Sequence, residues 1–177
     1  MQNQDSSDQP QIQAVPPGES PTPDPVLTEI LSSIRKRQLD ARSRLRINRR
    51  RLHKALKRLD ATSVVVTYSG SGDSGQIDEV NVYRDKTQIK SEKNVSVIVA
   101  SSKWSQDSGW IERVKSESMT LEAGLEQFVY DWIESEHAGW ENNDGASGEC
   151  TIEVATNDFN LNHITYYTKN ESTEHVL

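Results

Sequence analysis

Apolar residues recur at alternating spacings of four and three positions between residues 27 and 59, and this period predicts one long amphipathic helix. Asp24 and Pro25 precede the stripe as a typical helix start, because aspartate caps free backbone N–H groups and proline suits the first turn. We predict that the helix ends near Leu59 and docks on a partner through this stripe. The stripe consists of Leu27, Leu31, Ile34, Leu45, Leu52 and Leu59, with Gln38, Ala41, Asn48 and Ala55 completing the seam.

The chain beyond this helix changes to patterns that are typical of strands. An unbroken apolar run at residues 64–68 predicts a central strand, because both of its faces are apolar. A glycine-rich turn at 69–76 leads to a second strand at 77–83, and valines alternate with other residues in a third strand at 95–100. Residues 102–118 show no clear period, and we assign no element to them.

A second amphipathic helix is predicted to begin after Thr120, whose hydroxyl can cap the first turn. Its stripe consists of Leu121, Leu125, Phe128, Val129, Trp132 and Ile133. A hairpin then pairs residues 149–155 with 159–167 across a tight turn at Asn157 and Asp158. The sequence therefore predicts an α+β fold, in which a long N-terminal basic helix precedes a small antiparallel sheet of about five strands with one packed helix.

Composition divides the chain into three segments. Residues 1–25 are rich in Pro, Gln and Ser, and they contain too little apolar surface to offset the entropy of ordering. We predict that they form a disordered tail. Residues 26–60 form the basic, heptad-patterned helix, and residues 61–177 form the α+β domain.

The net charge of −7 is distributed very unevenly along the chain. Residues 26–60 contain 12 Lys and Arg against three acidic residues, whereas residues 61–177 contain 8 against 20. Most of the helix cations are arginines, which suit bidentate pairing with phosphate or carboxylate. The residues predicted to bind nucleic acid or an acidic partner are Arg35, Arg37, Arg42, Arg44, Arg46, Arg49, Arg50, Arg51, Lys54, Lys57 and Arg58.

Two segments of the body, GDSGQI at 72–77 and GWENNDGA at 139–146, resemble an uncharacterised bacterial domain-of-unknown-function family over about residues 62–177. That family places a strand before the first segment and a helix before the second, and it closes on a two-stranded hairpin. The resemblance implies this fold and a bacterial or phage-like origin, and it implies no activity. The arginine-rich helix and residues 102–118 depart from the family pattern.

The same two segments contain the residues of a competing enzymatic hypothesis. If one end of the sheet brought their carboxylates together, they would suit a metal-dependent hydrolase. These carboxylates are Asp73, Glu141, Asp144 and Glu149. We favour a structural turn in which Trp140 enters the core, and we expect no catalytic residue, no cofactor and no resident metal. A third possibility is an interaction loop that consists of Trp140, Glu141, Asn142, Asn143 and Asp144.

Cys150 is the only cysteine, and it alternates with Ile152 and Val154, so we expect it to be a small buried apolar residue. A single cysteine forms no intrachain disulfide, and the sequence shows neither a membrane-spanning apolar run nor a basic-then-apolar signal. We therefore expect a cytoplasmic location and no membrane contact.

The arginines that flank the stripe restrict the partner of the helix. Two copies of the helix would set arginine against arginine, and like charges across a helix pair repel, so homodimerisation through the helix is disfavoured. We expect a non-enzymatic accessory subunit whose helix binds nucleic-acid phosphate or an acidic protein within a bacterial nucleoprotein assembly. Besides the hydrolase, the second alternative is an autoinhibited adaptor, in which the helix folds back on its own body until a protein partner displaces it.

Overall fold

The computed structural model describes residues 24–107 and 109–177. The predicted tail therefore lies outside the described residues, except for Asp24 and Pro25. Within them the elements are α1 Pro25–Lys57, β1 Ser63–Arg84, β2 Thr87–Ile89, β3 Asn94–Ser105, β4 Gly109–Thr120, α2 Leu121–Glu136, β5 Asn142–Glu153 and β6 Asp158–Thr165. The predicted α+β class with a long N-terminal helix is confirmed.

Helix α1 begins as its sequence predicts. The Asp24 carboxylate accepts a hydrogen bond from the Val26 N–H at 2.9 Å, and Pro25 occupies the first turn, where its missing N–H has no intrahelical partner to lose. The helix ends at Lys57, two residues before the predicted end at Leu59. The N-terminal end is therefore set by a local signal that the sequence contains.

Strand β1 folds back on itself as a hairpin. The Thr62 N–H donates to the Tyr83 carbonyl at 2.7 Å, and the Ser69 hydroxyl donates to the Asp78 carboxylate at 3.0 Å. A straight strand rises about 3.3 Å per residue and would hold such pairs far apart. The predicted strands at 64–68 and 77–83 are thus the two arms of β1, and both arms extend into the glycine-rich segment between them.

Two antiparallel sheets replace the single predicted sheet. One contains the elements β2-β1-β5-β6 in that order, with one arm of β1 paired to β2 and the other to β5, and the other sheet consists of β3 and β4. The β3–β4 hairpin runs from the Asn94–Thr120 pair to the Ser105–Gly109 pair, so it contains the residues 102–118 that received no predicted element. Strand β4 escaped prediction because it buries no residue among those whose side chains are described, and it therefore shows little period-2 signal.

The turn between β5 and β6 differs from the prediction. Glu153 pairs with Asp158, so a loop of residues 154–157 connects the strands instead of a two-residue turn at Asn157 and Asp158. Asn157 has a φ of 58°, a left-handed conformation that asparagine tolerates better than most residues. The predicted hairpin is confirmed. Its predicted turn at Asn157 and Asp158 is wrong, because the loop is centred two residues earlier in the chain.

Helix α2 fills the space between α1 and the sheets. The Thr120 hydroxyl accepts from the Ala123 N–H at 3.2 Å, which confirms the predicted cap. The stripe of α2 is buried apart from Trp132, which is half-buried. It packs against α1, β1 and β3, so one core connects both helices with both sheets.

Candidate interaction surface on helix α1

Helix α1 consists of a docked half, residues 41–57, and a free half, residues 25–40. Leu52 and Leu56 in the docked half are fully buried, and Leu45 and Ala55 pack partly buried against the core. Every residue from 25 to 40 is exposed. The chain's own body is therefore the partner of the docked half of the stripe, whereas the free half has no cover from the described residues.

Asn48 anchors the docked half to strand β3. Its side-chain amide donates to the Ile98 carbonyl at 2.8 Å, and its amide oxygen accepts from the Ile98 N–H at 2.7 Å. The side chain is completely buried. Asn48 thus satisfies the N–H and the carbonyl of Ile98 at an edge of the β3–β4 sheet. Its position in the seam did not predict this role.

The body also holds Arg44 and Arg51, which were predicted to bind an external partner. The Arg44 guanidinium forms an ion pair with Glu112 at 3.1 Å. Arg51 donates to the Ser96 carbonyl at 3.2 Å and to the Ser116 hydroxyl at 3.1 Å. Both side chains therefore fix α1 on the β3–β4 hairpin.

Arg49 is likewise engaged within the chain. Its guanidinium donates to the Asn157 carbonyl, and its Cζ lies 4.6 Å from the centre of the Phe159 ring in a cation–π contact. The neighbouring His53 ring forms a hydrogen bond of 2.8 Å with the Val154 carbonyl. These contacts connect α1 to the β5–β6 turn, so Arg49 also belongs to the packing of the domain.

The remaining cations of the docked half form a basic face, which we define as Arg42, Arg46, Arg50, Lys54 and Lys57. Their spacings of four, four, four and three residues place them on one side of the helix. All five are exposed, and none forms an ion pair within residues 24–107 and 109–177. The other predicted binding residues, Arg35, Arg37 and Arg58, are exposed as well.

The free half of α1 exposes an apolar stripe. Leu27, Leu31 and Ile34 are 51%, 57% and 41% exposed, and Val26 and Ile30 beside them are equally open. Large apolar side chains scattered singly over a surface are ordinary, but a contiguous row of them marks an interaction site.

The two glycine-bearing motifs form one structural unit around Trp140. A Cβ on Gly70 would lie 2.7 Å from the Trp140 ring, and a Cβ on Gly75 would lie 2.5 Å from Cζ2 of the same ring. The glycines are therefore needed because the indole lies flat on the backbone of the β1 hairpin. The GDSGQI segment is a turn that receives Trp140, as the structural interpretation predicted for this tryptophan.

The predicted interaction loop is a turn at Trp140 and Glu141 that leads directly into β5. Trp140 is 5% exposed and contacts Tyr68 edge-on at 5.4 Å between ring centres, so its ring is not offered to a partner. Asn142 begins β5, and the Asp144 carboxylate accepts from both the N–H and the hydroxyl of Thr168. This segment serves to connect the core with the C-terminal strand and its extension.

The four carboxylates of the hydrolase hypothesis do not assemble. Asp73 pairs with Asn142 at one end of β5, whereas Glu149 pairs with Thr67 seven residues further along, about 23 Å away at 3.3 Å per residue. A divalent ion needs its ligand oxygens within about 2.6 Å. Across the described residues, no group of three or more His, Cys, Asp or Glu side chains is placed to hold a metal ion.

A histidine pair lies between the end of α2 and β6, and sequence reasoning missed it. The rings of His137 and His163 stack at 3.7 Å between centres, and the Tyr68 hydroxyl lies 2.9 Å from Nδ1 of His163. Burial and the neighbouring His137 lower the pKa of His163, and burial raises the pKa of Tyr68 to about 12. The only signal in the sequence was that His163 shares the inward period of Phe159 and Leu161 on β6.

Cys150 is fully buried in the core, as predicted. Burial, with a smaller contribution from the charge of Glu149, raises the pKa of its thiol to about 12. A thiol that remains protonated at neutral pH is a poor nucleophile. Cys150 therefore acts as a small apolar residue.

A comparison with known protein families matches most of the chain. Residues 45–177 match a family of unknown function, DUF6878. The chain belongs to this family. The expected membership in an uncharacterised domain-of-unknown-function family is thereby confirmed, and the match begins earlier than residue 62. No curated protein and no solved structure matches the chain.

The DUF6878 region begins at Leu45, within the docked half of α1. The prediction that the whole arginine-rich helix departs from the family is therefore wrong for residues 45–57, which supply core side chains such as Leu52. The free half lies outside the family match. Among the described residues, neither helix combines the length and apolarity that crossing a lipid bilayer requires.

Proposed function

We propose that this DUF6878 protein is a non-enzymatic accessory subunit that binds nucleic-acid phosphates through the basic face of α1, within a bacterial nucleoprotein assembly in the cytoplasm. The observation that carries the proposal is the basic face itself. Five exposed cations, from Arg42 to Lys57, follow one side of a rigid helix without a carboxylate partner among the described residues.

The dimensions and charge of the helix suit a polyanion. From Arg42 to Lys57 the face extends about 22 Å at 1.5 Å per residue, which corresponds to about six base pairs of duplex at 3.4 Å each. The body, in contrast, carries 20 acidic against 8 basic residues over 61–177. Repulsion from the body would confine a nucleic acid to the helix.

The composition of the basic face favours backbone contacts over sequence recognition. Arginine and lysine position a protein on phosphates, whereas bases are read by side chains placed at the base edges in a groove. The body holds Arg44, Arg49 and Arg51, so they do not extend the set. We therefore expect little preference for sequence.

The proposal is tested by titrating fluorescent duplex and single-stranded oligonucleotides with the full chain between roughly 50 and 300 mM salt. If all five cations contact phosphate, the slope of log K against log salt should be about −4.5 for duplex. The variant R42Q/R46Q/R50Q should bind more weakly and reduce the size of this slope by about 2.7.

The matched control is K86Q/K90Q/K93Q, which removes three exposed positive charges elsewhere on the body. It should leave the slope unchanged. The absence of binding at the lowest salt, or an equal effect of both triple variants, would show that the basic face does not bind nucleic acid.

A further inference from the structure

The apolar stripe of the free half continues the seam that the body already covers. From Leu27 and Leu31 through Ile34 to Leu45, the same four–three spacing holds, so these side chains lie on one side of the helix. Past Leu45, this side packs against α2 and β3. The exposed part therefore has the chemistry of a helix face that normally packs against other secondary structure.

A cleft marks the place where the free stripe meets the body. Its volume is ≈ 650 Å³, and Ile34, Ala41 and Leu45 of α1 face Tyr130 of α2 and Ala138, just after α2, across it. Its charged lining residues are Arg37, Arg42 and Arg44 with Glu112, Asp131 and Glu134. Because these charges balance, an incoming chain would gain mainly apolar contact in the cleft.

We infer that the free half of α1 docks on an amphipathic helix of a partner protein whose positions flanking its apolar seam are acidic. The residues that flank the stripe indicate that the partner is acidic. Arg35 and Arg42 lie on one side of the stripe and Arg37 on the other, at positions that face the flanks of a paired helix. Acidic side chains at those positions on the partner would pair with all three.

The other occupants fit less well. A second copy of this chain sets the same arginines against each other. A lipid surface favours cations opposite the apolar face, but the first ten residues of the helix contain Glu29 and no cation. Only Arg42 belongs to both the basic face and these flanks. The apolar stripe, Arg35 and Arg37 do not belong to the basic face, so the inference does not depend on nucleic-acid binding.

The test measures binding of the full chain to two synthetic helical peptides of about three heptads. Both carry Leu and Ile at the seam, and they differ only in having Glu or Lys at every flanking position. Neither peptide pairs with itself, because its flanks repel. We expect the Glu peptide to bind at least about tenfold more tightly than the Lys peptide, since like charges across an interface are unfavourable.

Variants then locate the contact. L27A/L31A/I34A keeps good helix formers and should abolish binding of the Glu peptide. The matched control I111A/V114A/I164A removes exposed apolar side chains from the sheets and should bind as the unaltered chain does. R35Q/R37Q should bring the affinities for the two peptides closer together.

Three kinds of result would overturn the inference. The first is equal affinity for the Glu and Lys peptides, or binding that survives the stripe variant. The second is a dimer of the full chain in analytical ultracentrifugation that L27A/L31A/I34A converts to monomer, which would make a second copy the occupant. The third is stripe-dependent binding to phosphatidylglycerol-containing vesicles, which would make a membrane the occupant.

Discussion

At the scale of single residues, Asn48 shows how one polar side chain can hold a helix on a sheet edge. It lies in an otherwise apolar seam, yet it is completely buried and forms two hydrogen bonds with the backbone of Ile98. A buried polar group is tolerated when its hydrogen bonds are made, and it becomes costly when they are lost. Asn48 thus fixes the position of α1 along β3 as well as its contact with it.

Replacing Asn48 by alanine should lower the free energy of unfolding by about 2–4 kcal/mol, because the N–H and carbonyl of Ile98 lose their partners. Urea unfolding followed by tryptophan fluorescence measures this loss. Ser43→Ala is the control, since Ser43 is exposed on the same helix. A loss within about 0.5 kcal/mol of the control would mean that the two hydrogen bonds contribute little.

The histidine pair predicts a pH dependence of stability. The folded-state pKa of His163 is lowered by burial and by His137, so protons bind more tightly to the unfolded chain. The stability that neutral His163 contributes is present above the unfolded pKa of about 6.5 and is lost as the pH falls through the lower folded pKa. The Tyr68 hydroxyl faces the same ring and remains protonated throughout this range.

Chemical unfolding at a series of pH values from 8 down to about 5 tests this dependence. The unaltered chain should lose more stability below about pH 6.5 than His163→Gln does. His175→Gln is the control, because His175 is exposed near the C-terminus. Parallel pH curves for the unaltered chain and His163→Gln would contradict the argument.

At the scale of elements, the β1 hairpin and the residues before β5 depend on each other through Trp140. The ring covers Gly70 and Gly75, so the two sequence motifs that carry the family resemblance are the two sides of one contact. Neither motif is explained by itself. The glycines of the first motif are explained by the Trp140 ring, and the burial of Trp140 is explained by the space that these glycines leave.

Gly75→Ala should therefore destabilise the fold by about 1–3 kcal/mol, because its methyl group overlaps the Trp140 ring. Combining it with Trp140→Leu should cost less than the sum of the two single changes. Gly72→Asn is the control, since a Cβ there meets no atom within 4 Å and asparagine tolerates its φ of 75°. Additive effects in the double variant would show that Gly75 and Trp140 are not coupled.

The elements that the sequence predicted are those marked by an apolar period or by a capping residue. The stripes of α1 and α2, the caps at Asp24 and Thr120, and the apolar run at 64–68 all lie where the periodicity places them. Strand β4 was missed because hydrogen bonds to β3 hold it, and these leave no trace in the side chains. The reach of the β1 arms into the glycine segment was missed because Trp140 stabilises it from 65 residues away.

The candidate surface was predictable in part, for a similar reason. Spacing alone identified the cations of α1, and the basic face agrees with it. Spacing did not show that the body would hold Arg44, Arg49 and Arg51, because Glu112, Phe159 and Ser96 come from elements distant in sequence. It also did not show that the stripe would be covered over only one half.

At the scale of the whole molecule, the docked half of α1 is part of the domain, and the free half is an addition to it. The family match begins at Leu45, close to where the stripe becomes covered. An autoinhibited adaptor would have to release the docked half, and that would expose Leu52 and Leu56 of the core. Because this release would expose core side chains, we predict that the docked half stays associated with the body.

Two truncations test this division. Removing residues 1–44 should leave a cooperatively unfolding domain with only slightly reduced stability. Removing residues 1–60 should abolish cooperative unfolding, since losing even one buried leucine side chain costs about 2.7–5 kcal/mol. Urea unfolding monitored by tryptophan fluorescence distinguishes the two. A stable 61–177 fragment would restore the displaceable-helix alternative.

Helix α1 runs without interruption through both halves, and this continuity determines how anything bound to its far end is oriented. Leu27 lies about 27 Å from Leu45 along an unbroken axis, so a bound partner would sit at a constant distance and azimuth from the sheets. A single inserted residue would turn the far end by about 100°, whereas seven would nearly restore its direction. The protein would therefore join its ligands with a fixed geometry that a flexible tether could not provide.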